Sequence, residues 1–259
     1  MKDLSNFITA LSIFLILPVF SGCGTVGVYN PATQQREFIF ISTAEELNMG
    51  TNIHEDILKT YSLSTDEAKV ERLRKIGQRV ALVSDRQDYP YKFYLIDKDE
   101  LNAFTIPGGR VYMYSGLFDR LGSDAKIAAV LAHEIGHCAA KHTVKKFQAS
   151  MGYNLLATLL LNQVDSGSAR QLAELSSGMV MKIVFSAYGR QDEYESDRLA
   201  VKYMYLAGYP PISVEQALET LKTEKESGFY PTILRTHPHL DDRIKAVKSE
   251  IENVSNEYQ

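Results

Sequence analysis

The stretch AAVLAHEIGHCAAKH, residues 128–142, constrains this chain more than any other part of it. It is apolar at most positions, yet it carries His133, Glu134 and His137 in the spacing H-E-x-x-H. Ser123-Asp124 supplies N-cap chemistry ahead of it, so the segment reads as one helix running to about Phe147. At about 100° per residue, His133 and His137 fall about 40° apart on adjacent turns. Two imidazoles so placed can reach one metal at about 2.0–2.1 Å each. Glu134 lies about 100° round from His133, near enough to touch a metal-bound water without displacing it. Zinc would lower the pKa of that water to roughly 7, and the glutamate would take its proton. The bland alternative is a core helix with two satisfied histidines.

A hydrolytic zinc needs three protein ligands and an open fourth position. The metzincin pattern would place Gly and His where this chain has Ala140 and Thr143. A deformylase-like site would need an upstream thiolate, and only Cys23 precedes the motif. On one continuous helix His142 is half a turn out of phase with His133 and faces away from a shared metal. Cys138, about 140° from His133, reads as a packing residue. His54 has no partner motif. The segment RQDEYESDRLAVKYM, residues 190–204, places Glu193 and Asp197 four apart on one helix face, with Glu195 nearly opposite. That pair fits a glutamate ligand whose neighbour holds a zinc-bound imidazole. It fits a solvated acidic face equally well.

Around these motifs the pattern is that of a mostly helical α+β domain with a small antiparallel sheet beside the motif helix. Helices are expected over residues 42–61, 66–84, 190–206, 213–226 and 241–254, and apolar helical segments near 155–161 and 179–188, joined by DSGS at 165–168. YKFYLID, 91–97, alternates as a strand, and Asn102 to Phe118 reads as a hairpin turning at Pro107-Gly108-Gly109. With 259 residues, 45% hydrophobic and 23% charged, the chain suits one globular domain plus an appended segment. A net charge of −4 without dense Lys/Arg clusters points away from nucleic acid as a partner.

The appended segment is N-terminal. Lys2, the apolar run Phe7–Phe20 and Ser21-Gly22-Cys23 describe an export signal over residues 1–22. FSGC resembles the bacterial lipobox, with Phe20 where Leu is usual. That resemblance implies cleavage before Cys23 and lipidation there, followed by a small, polar tether over 23–41 and a domain over 42–259. Gly24, in place of the Asp associated with inner-membrane retention, implies an outer-membrane address facing the periplasm.

HEIGH, the downstream GRQDEYESDRLA, the upstream NAFTIPGGRVYMYSGLF and the later THPHLDDR together resemble the HtpX-like gluzincin peptidases. That family includes CAAX-prenyl proteases and bacterial envelope lipoproteins of the LoiP type. The similarity runs in order from about residue 36 to 247, with Gly189-Arg190 and Ser196-Asp197 where Ser-Arg and Ala-Asp are usual. It implies a zincin-like fold and one zinc held by His133, His137 and Glu193. Glu134 would be the general base and Asp197 a hydrogen-bonding partner to a ligand. Asn102, Ala103 and Phe104, with Gly108 and Gly109 allowing close approach, would line a substrate strand groove; an ordinary hairpin is the alternative. His237 would stabilise the oxyanion or occupy the fourth zinc position, and Arg243 would orient a carboxylate such as Asp197 or bind substrate.

The function so implied is a zinc-dependent endopeptidase acting on unfolded or misassembled envelope proteins, with the membrane reached through its lipid and envelope assembly machinery as a partner. The reading from another class is a periplasmic holdase whose zinc is structural or latent.

Overall fold

The computed structural model describes residues 27–160 and 177–257. The expected signal peptide, Cys23 and the DSGS joint lie outside the described residues. In chain order the elements are β1 (Val28–Asn30), β2 (Gln35–Glu37), α1 (Thr43–Thr60), α2 (Glu67–Ala81), β3 (Lys92–Ile96), β4 (Ala103–Ile106), β5 (Arg110–Tyr114), α3 (Ser115–Leu121), α4 (Asp124–Ala139) and α5 (His142–Leu160). After the second described stretch begins come α6 (Ser177–Val184), α7 (Arg190–Leu206), α8 (Ile212–Glu226), α9 (Ile233–Thr236) and α10 (Leu240–Glu257).

Local chemistry sets the helix starts. Ser42 and Glu45 form a reciprocal capping box at α1, Asp66 caps α2 through Lys69 N, and Ser123 caps α4 through Lys126 N. The period-2 alternation of the strands splits the core in two. Phe93, Leu95, Ala103, Val111 and Met113 join the main core with α2, α4, α7, α8 and α10. Ile96, Phe104, Ile106, Tyr112 and Tyr114 face the other way, onto Ile53 and Ile57 of α1 and Val180 and Ile183 of α6.

The expected hairpin of β4 and β5 is antiparallel, and β3 joins it in parallel, so the three-stranded sheet is mixed. Its order is β3-β5-β4, with β4 antiparallel and β3 parallel to β5. The chain reverses between β3 and β4, but the tight turn after β4 lays β5 into the gap between them. Gly108 and Gly109 make that turn with φ of 82° and 75°, which favour glycine. A Cβ on Gly108 would meet Glu46 O and Leu47 of α1, and one on Gly109 would meet the Tyr89 ring. Both glycines are therefore packed within the protein and do not line an open groove, contrary to the sequence expectation.

Two further corrections concern connections. Residues 27–41 are not a free tether: β1 and β2 pair antiparallel, Ala32 and Thr33 are buried, and Ala32 O accepts from Arg198 Nη2 at 3.0 Å. The helix from Ser123 to Phe147 is two helices. It breaks at Ala140-Lys141, where Lys141 adopts φ 59°. Such left-handed backbone costs about 1–3 kcal/mol outside glycine. Lys141 Nζ lies 2.6 Å from the buried Glu46 Oε1 of α1, a contact that offsets the cost. Among the described residues no helix is long and apolar enough to cross a membrane.

Helices α4 and α7 approach closely at Gly136. A Cβ there would stand 3.0 Å from Ser196 O and 3.1 Å from Ser196 Cα, so backbone meets backbone. Gly136→Ala is expected to destabilise the fold by about 1–3 kcal/mol through overpacking. Urea unfolding measures this, and an unchanged midpoint would contradict the close contact.

Candidate metal centre

The approach of α7 to α4 sets the residues flanking Ser196 against those flanking Gly136. His133 and His137 project from α4, Glu193 from α7, and His237 from the C-cap of α9. All four are buried, and one donor atom from each lies within 4.8 Å of the others. His133 Nε2 is 3.1 Å from His137 Nε2 and 3.2 Å from His237 Nδ1. Glu193 Oε1 is 3.0 Å from His237 Nδ1 and 3.5 Å from His137 Nε2, while its Oε2 is 3.6 Å from His133 Nε2.

These separations test whether a metal fits. Tetrahedral ligands at 2.0–2.1 Å from zinc stand about 3.3–3.4 Å apart, inside the observed spread. Both oxygens of buried Glu134, Glu193 Oε2 and His237 Nε2 have no hydrogen-bond partner among the described residues. Each such buried polar atom costs about 1–3 kcal/mol if nothing satisfies it. Burial holds His137 well below the ordinary histidine pKa, so its ring is neutral and a lone pair is free to donate. Three imidazoles and a carboxylate are a zinc donor set, and the site fits that ion.

Behind the donors, His133 Nδ1 lies 2.8 Å from Asp197 Oδ1. Arg243 is buried between the two α7 carboxylates. Its Nε and Nη2 each donate to Asp197 at 2.7 Å, and Nη1 stands 2.7 Å from Glu193 Oε2, off hydrogen-bonding alignment. Burial acts to raise both carboxyls, but His237 and Arg243 hold Glu193 well below the usual range, and Arg243 and His133 hold Asp197 low. Of the two sequence expectations for Arg243, the contacts match orientation of a carboxylate. Glu134, raised by burial, has its Oε1 3.5 Å from His237 Nε2.

His237 thus sits with its Nδ1 among the donors. Asn102 is buried at the start of β4, and Tyr114 N donates to its carbonyl at 2.9 Å. In an antiparallel pair such bonding recurs at every second residue, which turns the N–H and C=O of Ala103 and Thr105 away from β5; both residues are buried. Phe104 packs into the second core, stacked on Tyr112. Cys138 is buried, 2.8 Å from Thr105 Oγ1, and no part of the donor cluster. His54 Nδ1 lies 2.7 Å from the Tyr112 hydroxyl and is no part of the donor cluster. An apolar recess lined by Val130, Val214, Leu218, Leu221, Ile233 and Leu234 reaches His133 and His237.

Two neighbours escaped sequence reasoning. The helix break turns His142 back, so that its Nδ1 lies 2.9 Å from His137 Nδ1, and Glu195 Oε2 is 3.0 Å from its Nε2. No Gly or Pro marks that break in the sequence. Tyr188 stacks on His137 with ring centroids 3.8 Å apart, and its N–H donates to Thr236 O beside His237. Only its place in an apolar run was visible.

A helix carrying H-E-x-x-H against a second helix supplying the glutamate defines a zinc metallopeptidase of the gluzincin kind. Comparison with known proteins agrees: residues 67–251 match the model of Peptidase family M48, and the chain belongs to that family. Metallopeptidases of this family use zinc. The chain is 26% identical over 216 residues to the beta-barrel assembly-enhancing protease of Escherichia coli (strain K12), covering 79% of this chain and 43% of that one. It is 23% identical to the mitochondrial metalloendopeptidase OMA1 of Schizosaccharomyces pombe, over 85% and 65% of the two chains. With the metalloprotease LoiP of E. coli (strain K12) it shares 24% identity over 92% of this chain and 96% of that one. The chain therefore spans less than half the length of the assembly-enhancing protease.

Removing the guanidinium would take away the cation buried between two carboxylates, and with it both hydrogen bonds to Asp197. Arg243→Ala is expected to lower stability by about 3–5 kcal/mol. Arg243→Lys should recover little, since an ammonium cannot bridge both carboxylates in the same fork geometry. Thermal and urea unfolding of the two variants check this; a lysine variant as stable as wild type would contradict it.

Proposed function

We propose that the protein is a zinc-dependent endopeptidase that hydrolyses peptide bonds in unfolded or misassembled proteins of a bacterial envelope. The observation that carries this reading is the pairing of a four-donor cluster with Glu134, whose two buried oxygens have no partner of their own. His133, His137 and Glu193 would hold the metal. When bound, zinc polarises the peptide carbonyl and makes water acidic enough to attack it near neutral pH. Glu134 takes the proton of the attacking water on a carboxylate oxygen and returns it to the leaving amine. Burial, by raising the carboxyl pKa, suits it to both halves of that transfer. Asp197 and Arg243 keep the His133 imidazole oriented.

Substrate would be held by its backbone. The N–H and C=O of Ala103 and Thr105 that turn away from β5 are buried in this structure; once uncovered, they would offer an extended chain two residues of strand pairing, which reads conformation more than sequence. That favours unfolded substrates over folded ones. His237, with Nδ1 among the donors, acts as a fourth ligand that closes the site until its loop moves away; this reading is favoured over oxyanion stabilisation by the direction of Nδ1. Export, lipidation at Cys23, anchorage to the outer membrane facing the periplasm and work beside envelope assembly machinery complete the proposal. They are supported by the FSGC signal and by the similarity to an envelope-assembly protease and to LoiP.

Casein degradation by the zinc-loaded mature chain tests this. Glu134→Gln is expected to reduce cleavage by about 10²–10⁴-fold while zinc stays bound. Cleavage unchanged in this variant would sink the general-base role, and binding of unfolded chains without cleavage by either protein would favour a holdase. In the same assay His237→Ala is expected to cleave several-fold faster than wild type; a fall in rate would instead make His237 a transition-state group.

A further inference from the structure

We infer that His142 is a positioning residue for the metal ligand His137, acting through a relay that ends on Glu195. The inference rests on the zinc reading above, but it concerns groups that lie behind the donors.

His137 faces the cluster with Nε2, so its Nδ1 points away, and there the His142 Nδ1 stands at 2.9 Å. Two imidazole nitrogens at that distance share one proton, and one of them donates. The far side of His142 decides which. Its Nε2 lies 3.0 Å from Glu195 Oε2 and 3.6 Å from Asp192 Oδ1, both carboxylate oxygens that can only accept. The proton of a neutral His142 therefore sits on Nε2, and its Nδ1 is the acceptor. His137 must then carry its proton on Nδ1, which leaves the Nε2 lone pair bare and aimed at the metal position. Ser196 Oγ, at 3.4 Å, is a longer second contact to the same His142 nitrogen.

The arrangement depends on the break between α4 and α5. On an unbroken helix His142 would lie about 140° round from His137, out of reach. Lys141, in left-handed backbone and held by Glu46, turns His142 back, and the ring is almost fully buried there. The two histidine ligands are consequently backed by different groups. His133 leans on Asp197, a carboxylate shared with Arg243, and His137 leans on an imidazole that passes the interaction on to a carboxylate. Partners of this kind fix the tautomer and ring orientation of a ligand, and their loss commonly costs about 10–100-fold in metal affinity.

The test measures zinc dissociation by competition with a chromophoric chelator, and the visible absorption of the cobalt(II)-loaded protein. His142→Leu removes the acceptor, and His142→Asn keeps an acceptor oxygen near the place of Nδ1. The leucine variant is expected to bind zinc about 10–100-fold more weakly and to shift the cobalt bands. The asparagine variant should recover most of the affinity. Wild-type affinity in the leucine variant would overturn the inference, as would equal weakness in both variants, which marks a packing effect. If the leucine variant does not fold, Glu195→Leu carries the test: weaker zinc binding supports the relay and unchanged binding overturns it. A wild type that takes up no stoichiometric zinc would fell the metal reading itself, a result distinct from any of these.

Discussion

Where Gly136 meets Ser196, the backbones of α4 and α7 stand so close that a single methyl group would touch the opposite chain. That approach makes one site out of two motifs separated by more than fifty residues of sequence. With it, Glu193 reaches the imidazoles of His133 and His137, and Asp197 reaches the back of His133. Everything else in the centre is arranged around this contact. The sheet, α8 and α10 share the main core with α4 and α7, and His237 Nδ1 comes within 3.2 Å of His133 Nε2.

Such an approach buries charge, which the fold then has to balance. Glu134, Glu193 and Asp197 are all removed from water, and Arg243 is the cation set among them. Its fork satisfies Asp197 and faces Glu193, but leaves Glu134 without a partner. Four buried polar atoms without partners among the described residues, both oxygens of Glu134, Glu193 Oε2 and His237 Nε2, lie at the four-donor cluster. A protein interior seldom leaves several such atoms together, and their convergence speaks for an ion and a water more strongly than any single distance does.

Much of this was legible in the sequence because regular helices obey a fixed period. The 3.6-residue repeat set His133 beside His137 and Glu193 beside Asp197, and capping residues placed the starts of α1, α2 and α4 correctly. Joining the two ligand helices was beyond periodicity, and resemblance to a family supplied it. What stayed hidden followed from tertiary contacts overriding local pattern. Ala140-Lys141 has no helix-breaking residue, yet Glu46 of α1 draws the lysine into a turn and so recovers His142 for the site. The strand order was hidden because β5 inserts between two strands that the sequence presents consecutively. Gly108 and Gly109 looked like an opening for substrate, but α1 and Tyr89 fill the space beside them. Tyr188, an apolar-segment residue by sequence, is a ring stacked on a ligand.

The central claim is that His133, His137 and Glu193 hold a zinc ion. Metal analysis of the purified protein, combined with zinc-edge X-ray absorption, addresses it most directly. The account predicts one zinc per chain with nitrogen and oxygen neighbours at about 2.0–2.1 Å and imidazole scattering beyond them. Absence of stoichiometric zinc, or a sulfur neighbour at about 2.3 Å, would contradict it, the latter by bringing Cys138 into a site where the structure gives it no place.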